Sequence, residues 1–369
     1  MMASKKKGAG MSVKLKQCRE KIDSIDDEIL KLLNQRAIFA QQIGHLKEDG
    51  KILRPEREAQ VLRRLQVHNT GPLSNAAIVQ LFTEVMSQCR ALEEALTVAY
   101  LGPEGTFSEL ATLKRFGSAM AGKSCATIDD VFRIVESGVT QYGVVPAENS
   151  TEGAVGRTLD LLLQSALQIC GEVIIPIHQC LLGQVKSKKH NNLSAIKTVY
   201  SHPQSLGQCQ GWLNANLPRA VRIPTSSNAE AARLAVENSY SVAIASERAA
   251  EIFGLNVLAR NIEDEPNNTT RFLVLGNQHI APSGIDKTSL VMTAANRPGA
   301  VHDLLVPLAR HGVSMTKLES RPARSGLWEY VFFVDIEGHQ SDSKVAAALL
   351  ELRQIAPFVK VLGSYPVAV

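Results

Sequence analysis

Ten positions near the start of the chain, Leu15, Cys18, Ile22, Ile25, Ile29, Leu32, Arg36, Phe39, Ile43 and Leu46, recur at alternating steps of three and four residues. This spacing places them on one stripe of an α-helix, and no proline interrupts it. The helix would be about 50 Å long at 1.5 Å per residue. A small monomer cannot cover so long an apolar stripe, so the seam predicts a helical bundle or an intertwined dimer. Arg36 is the one charged residue in it. An unpaired guanidinium is costly to bury, so Arg36 calls for a partner or a bound anion.

The helical pattern covers residues 12–96. A break at "EDGKILRP" precedes a second helix from Pro55, placed well for a first helical position. Ser74 is a candidate cap for a third helix running to residue 96. Lys47 returns to within about 20° of Arg36 on the first helix, whereas Arg19 lies roughly 100° away. One helix cannot easily aim Arg19 and Arg36 at one small ligand, but two antiparallel copies can. Glu93 follows Cys89 by one turn, on the face expected to carry Ile78, Phe82 and Val85. Arg57 and Glu58 begin the second helix, where a carboxylate suits the helix dipole. Arg36, Lys47 and Glu93 together suggest a cationic site for a small dicarboxylate.

Residues 97–276 alternate short apolar strands with helical stretches, and polar residues follow each strand. In parallel α/β sheets those strand ends are where ligands bind. The segment 277–286 reads as a polar linker. Residues 287–369 contain a strand–helix–strand–strand–helix–strand order, the ferredoxin-like arrangement. Pro307 falls inside its first helix. The net charge of +4 gives no argument for nucleic acid, and no apolar run approaches a membrane span. The six cysteines are scattered without C-x-x-C pairs, which argues against zinc and a disulfide framework and for a reducing cytoplasm. Lys5 to Lys7 sit in a Gly/Ala/Ser-rich start, so residues 1–11 are expected to be a disordered tail.

"CREKIDSIDDEILKLLNQRAIFAQQIGHLK" followed by "RPEREAQVL" resembles the all-helical chorismate mutase domain of the bifunctional chorismate mutase–prephenate dehydratases. The resemblance implies an intertwined homodimer or higher homo-oligomer. It puts Arg19 in the partner's site, Arg36 on a substrate carboxylate and Lys47 on the ether oxygen. Arg57 falls on a site arginine, and Glu58 on the glutamate that binds the ring hydroxyl. Glu93 replaces a glutamine of one form of the family, and must carry a proton to donate to the ether oxygen. Arg54 stands where that form has an aspartate. The rearrangement of chorismate to prephenate needs no nucleophile, only the correct conformer and stabilisation of charge on the ether oxygen.

"AYLGPEGTFSE", "VPAENSTEGAV", "YSHPQSLGQC" and "NNTTRFLVLG" resemble the strand-end motifs of prephenate dehydratase. The family implies two α/β lobes, like those of periplasmic binding proteins, with the site between them. Thr270 falls on the catalytic threonine, with Arg271 after it. Glu148, Asn149, Ser201 and Gln208 fall on cleft residues, and Thr106 lies in the first Gly-rich loop. Prephenate loses its ring carboxylate and hydroxyl together, and the hydroxyl needs a proton to leave. No cofactor or metal is required. Ser201 and His202 are neighbours on a strand and point to opposite faces, which argues against a serine–histidine pair.

"NRPGAVHDLL" and "KLESRP" resemble the ACT-domain segments at which L-phenylalanine binds in this family. The match carries effector contacts onto Gly299, Ala300, Val301, Glu319, Ser320 and Arg321. The expected architecture is therefore multidomain: an all-α mutase domain, a two-lobed α/β dehydratase domain and an α+β ACT domain. An arogenate-preferring dehydratase and a non-catalytic amino-acid sensor are the alternatives. The sensor leaves the charged seam unexplained.

Overall fold

The computed structural model describes residues 2–46, 52–184, 193–295, 297–322 and 330–369, with side chains from Lys14 onward. Lys47 lies outside the described residues. Helix α1 (Met2–Leu46) continues without a break through the stretch expected to be a disordered tail. Extending a helix costs far less than starting one, and no proline stops it there. Helices α2 (Pro55–His68) and α3 (Asn75–Ala91) complete the first domain, with Ser74 accepting from Ala77 N as the α3 cap. Helix α3 ends at Ala91 rather than near residue 96, so Glu93 lies in the turn that follows it. Its amide still donates to Arg90 O. The seam stays open in the single chain: Ile22, Ile25, Leu32 and Ile43 are each more than half exposed.

The next domain begins with β1 (Thr97–Leu101), α4 (Phe107–Phe116), β2 (Ala121–Cys125), α5 (Ile128–Glu136), β3 (Tyr142–Asn149), β4 (Gly153–Ala154), α6 (Gly156–Gln164) and β5 (Gln168–Pro176). The chain then crosses to a second lobe of β6 (Cys180–Gly183), β7 (Thr198–Ser201), α7 (Pro203–Gln208), α8 (Gln210–Asn216), β8 (Val221–Pro224), α9 (Asn228–Glu237), β9 (Ser241–Ala245), α10 (Glu247–Phe253) and β10 (Asn256–Ala259). It returns with β11 (Thr269–Gly276), which enters the first sheet between β3 and β5, antiparallel to both. The first sheet runs β2-β1-β3-β11-β5 and the second β10-β6-β9-β7-β8. Ala229, Ala231, Ala232 and Ala235 of α9 are wholly buried, and such small side chains let the helix lie close to its sheet. The two crossings bond to each other, Ile177 N to Asn268 O at 2.8 Å and Ile262 N to Gln179 O at 3.0 Å. Those paired crossings join two lobes with a cleft between them.

The third domain comprises β12 (Asp286–Thr293), α11 (Ala300–Arg310), β13 (Met315–Pro322), β14 (Tyr330–Glu337), α12 (Ser343–Ile355) and β15 (Phe358–Pro366), in an antiparallel sheet of order β13-β14-β12-β15. Pro307 lies within α11, as expected. This sheet stacks on the first lobe: Val291, Val331, Phe333, Leu362 and Tyr365 share one core with Val145, Leu162, Ile169 and Leu273. A Cβ at Gly363 would overlap the carbonyl oxygen of Ile169, so only glycine permits this approach. Lys360 reaches from β15 to the carbonyls of Leu162, Leu163 and Ser165 at 3.0, 3.1 and 2.6 Å, at the C-terminal end of α6. The segment expected to be a linker is also held down, since Arg63 of α2 donates to Ser283 Oγ at 3.0 Å and to Ile285 O at 2.8 Å. Among the described residues, no helix is long and apolar enough to cross a membrane.

Candidate functional site

The polar start of β11 lies at the return crossing, beside the end of β3. Thr270 pairs with Asn149 across these strands, and both are buried. The Asn149 amide nitrogen donates to Thr270 Oγ1 at 2.9 Å and to Asn268 Oδ1 at 2.7 Å. The Asn149 carbonyl oxygen accepts from Thr151 N, Thr151 Oγ1 and Glu152 N at 3.0, 2.6 and 3.2 Å. These bonds fix the orientation of the Asn149 amide. Because Thr270 accepts from Asn149, its own proton is left to be given to a ligand oxygen.

From Glu152 the network crosses to the second lobe. Gln208 Nε2 lies 3.0 Å from Glu152 Oε1, and Gln179 Nε2 reaches Gln208 Oε1 at 3.4 Å and Ser205 Oγ at 3.1 Å. Asn228 Nδ2 donates to Ser205 Oγ at 2.8 Å, and Asn228 Oδ1 lies 2.9 Å from Ser201 Oγ. Thr270, Asn149, Gln208 and Ser201 thus belong to one polar network spanning both lobes. Gln179 Oε1 and Asn268 Nδ2 are buried without a partner among the described residues. Buried polar atoms are seldom left this way, and a ligand in the cleft is one way to satisfy them.

Several expected ligand contacts are used otherwise. Ser201 is wholly buried, with its hydroxyl 2.8 Å from Ile244 O, so it holds the end of β7 rather than facing the cleft. His202 Nδ1 accepts from Gln204 N at the start of α7, and the two residues form no pair. Thr106 caps α4, donating to Leu101 O at 3.1 Å and accepting from Glu109 N at 3.4 Å. Next to it, Gly105 has φ +87° and its carbonyl accepts from Ser246 Oγ at 2.8 Å, so the Gly-rich loop bridges the lobes.

Arg271 and Glu148 depart most from expectation. Successive residues on a strand point to opposite faces, so the step that aims Thr270 and Asn149 at the cleft aims their neighbours at the third domain. Arg271 donates to Glu172 at 2.7 Å, Asp335 at 2.6 Å and Tyr365 Oη at 2.8 Å. Glu148 pairs with Lys317 at 2.8 Å and lies 3.7 Å from Arg271. Lys287 closes the cluster against Glu172 at 2.9 Å, so three cations meet three carboxylates. Burial alone would lower the pKa of Arg271, but its neighbours reverse this and raise it. Burial also pushes the Tyr365 phenol well above its usual range, so Asp335 and Glu172 are the anions that hold the guanidinium.

In the helical domain, Arg36 is half-buried while Arg19 and Arg57 are exposed. Glu93 lies against α1, where a Cβ at Gly44 would stand 2.6 Å from its carboxyl carbon. Glu93 thus sits beside the C-terminal end of α1. Glu58, expected on a ring hydroxyl, is instead held between Arg90 and Arg115, the latter at 2.8 Å. It ties α2 to α3 and to α4 of the next domain. A cavity of about 1080 Å³ opens beside it, between α2, α3, α4, β5 and the C-terminal residues, away from Thr270.

In the third domain, Gly299 precedes α11 with φ +78°, a conformation that favours glycine. Ala300 is buried and Val301 exposed. Glu319 and Ser320 lie on β13. Arg321, expected at the effector, reaches out of the domain to Asp160 of α6 at 3.0 Å, with its guanidinium over Gly156. Of the residues missed from sequence, Glu152, Ser205 and Asn268 sit within the polar motifs, whereas Gln179 and Asn228 lie outside them. Nothing in their spacing singles them out, because the fold brings them together from separate loops.

Three family models match the chain: chorismate mutase type II over residues 18–94, prephenate dehydratase over 98–280 and the ACT domain over 288–354. A bifunctional chorismate mutase/prephenate dehydratase of Neisseria gonorrhoeae is 55% identical over 95% of this chain and 96% of its own length. A solved prephenate dehydratase of Arthrobacter aurescens, in complex with L-Phe, is 35% identical with a TM-score of 0.67, over 73% of this chain and 90% of that one. A solved protein described as a quorum-quenching acylase, GqqA, is 31% identical with a TM-score of 0.66, over 74% of this chain and 98% of that one. Fold alone therefore does not name the reaction, and the site must do so.

Proposed function

This chain belongs to the family of bifunctional chorismate mutase/prephenate dehydratases, and we propose that its two activities reside in the α1–α3 domain and in the cleft at Thr270. The conversion runs from chorismate to prephenate, and from prephenate to phenylpyruvate with loss of carbon dioxide and water. The observation that carries the second assignment is the Asn149–Thr270 hydrogen bond at 2.9 Å. A donor fixed on the threonine oxygen stabilises the charge that builds there as the hydroxyl gives its proton to the departing hydroxide. Gln208 Nε2 and Asn268 Nδ2, the latter without a partner among the described residues, support a role in holding the substrate's carboxylates and carbonyl, while Gln179 Oε1, which can only accept, suits a hydroxyl of the substrate.

For the mutase, the reading rests on Arg19, Arg36, Arg57, Lys47 and Glu93. The open seam of α1 supports a homodimer in which Arg19 serves the partner's site. Glu93 would donate to the ether oxygen in its protonated form. L-phenylalanine would bind at the ACT domain, at Gly299 to Val301 and Glu319 to Ser320, and inhibit the dehydratase. The six cysteines form no disulfide with one another, which suits a cytoplasmic setting. Incubating the purified protein separately with chorismate, prephenate and arogenate tests the reading. Prephenate and then phenylpyruvate should form from chorismate. Faster turnover of arogenate than of prephenate would overturn the substrate assignment.

A further inference from the structure

The regulatory sheet touches the catalytic pair through its immediate neighbours. On β3, Asn149 faces the cleft and Glu148 faces the ACT domain. On β11, Thr270 faces the cleft and Arg271 faces the ACT domain. The two rungs are adjacent and pair with each other. From the other side, Lys317 of β13 holds Glu148 at 2.8 Å, and Asp335 of β14 holds Arg271 at 2.6 Å. All four side chains are at most about one-third exposed, so water screens these pairs weakly.

Both ends of this chain of contacts sit at irregularities in the strand pairing. The β3–β11 register shifts between Arg271 and Phe272, and the β13–β14 register shifts between Met315 and Lys317. Strand β13 is at the edge of its sheet and pairs with β14 alone. It can therefore shift without breaking a second ladder, and it also carries Glu319 and Ser320 two and three residues beyond Lys317.

We propose that Glu148 and Arg271 are positioning residues that pass the state of the ACT domain to Asn149 and Thr270, with Lys317 as the contact that moves them. The proposal rests on the regulatory reading above, in which L-phenylalanine bound at the ACT domain inhibits the dehydratase. A displaced β13 pulls Lys317 from Glu148 or draws Glu148 with it. Either change shifts the end of β3, where the Asn149 amide must stay aligned with the Thr270 hydroxyl.

The test compares the full-length protein with Lys317→Met and Lys317→Arg, measuring prephenate turnover with and without L-phenylalanine and L-phenylalanine binding by calorimetry. Lys317→Met should turn over prephenate and bind L-phenylalanine, yet its activity at saturating L-phenylalanine should exceed that of the wild type by about fivefold or more. Lys317→Arg, which keeps the charge, should restore inhibition. A merely structural role would not separate binding from inhibition in this way. Wild-type inhibition of Lys317→Met overturns the relay and leaves the regulatory reading standing. A wild-type protein that neither binds nor responds to L-phenylalanine overturns the regulatory reading, and the relay with it. Should Lys317→Met fail to fold, Lys317→Gln removes the charge while keeping a polar side chain, and is judged by the same outcomes.

Discussion

Asn149 and Thr270 are cross-strand partners whose side chains meet, amide to hydroxyl, at 2.9 Å. Asn149 is itself fixed by three donors to its carbonyl oxygen. Removing the hydroxyl leaves a fixed donor with nothing to polarise. Thr270→Ala should therefore lower dehydratase turnover by about 10²–10⁴-fold and leave mutase activity unchanged. Thr269→Ala should cost far less, since Asn149 meets Thr269 at its backbone carbonyl, which the substitution keeps. Phenylpyruvate formation by the two variants distinguishes them. Equal losses would refute the choice of Thr270.

Glu93 packs against Gly44 of α1, in the turn after α3. If Glu93 is a donor to the ether oxygen, an amide at the same place can serve as well. Glu93→Gln should therefore keep mutase activity, whereas Glu93→Ala should lower it sharply. Mutase rates of the two variants check this, with dehydratase activity of the same samples as control. Equal losses in both variants would exclude Glu93 as the donor.

Glu58 is the shared partner of Arg90 and Arg115. Burial lowers the pKa of Arg90, and Glu58 opposes that shift. Glu58→Ala strands two largely buried cations, a change that typically costs about 3–5 kcal/mol. Denaturant unfolding should show that loss in the transition of the helical domain. A cost below about 1 kcal/mol would mean that water takes over the pairing.

The six cysteines offer a probe of assembly. Cys18 is exposed and the other five are buried, and burial raises the thiol pKa of Cys125, Cys180 and Cys209. Because Cys18 belongs to the open seam, a second copy that covers α1 should shield it. A thiol reagent should find one fast-reacting group per chain in dilute protein and fewer as concentration rises, and Cys18→Ser should remove that group. A reactive Cys18 that stays fully accessible at every concentration would exclude a dimer through this part of the seam.

Long periodic features are legible in the sequence alone. The α1 seam, the strand-end motifs and the ferredoxin-like order each rest on local spacing, and each has its counterpart in the structure. The direction of single side chains was harder to read. Arg271 and Glu148 sit inside motifs that name the cleft, but strand alternation turns them to the other face, where Asp335 and Lys317 await from far along the chain. Glu58 escaped for the same reason, since Arg115 belongs to another domain. Long-range partners leave no periodicity, so a charge can be read as a ligand when it is a tie between domains.

The close approach of Gly363 to Ile169 limits how this protein can be divided. A chain ended before β12 would lose Val291, Val331, Phe333, Leu362 and Tyr365 from the core they share with the first lobe. It would expose an apolar sheet face and leave Glu172 without Arg271's other anchors on the regulatory side. Such a fragment would tend to self-associate rather than remain a separate, unregulated catalyst. The boundary seen in the sequence thus divides two patterns but not two independently folding bodies.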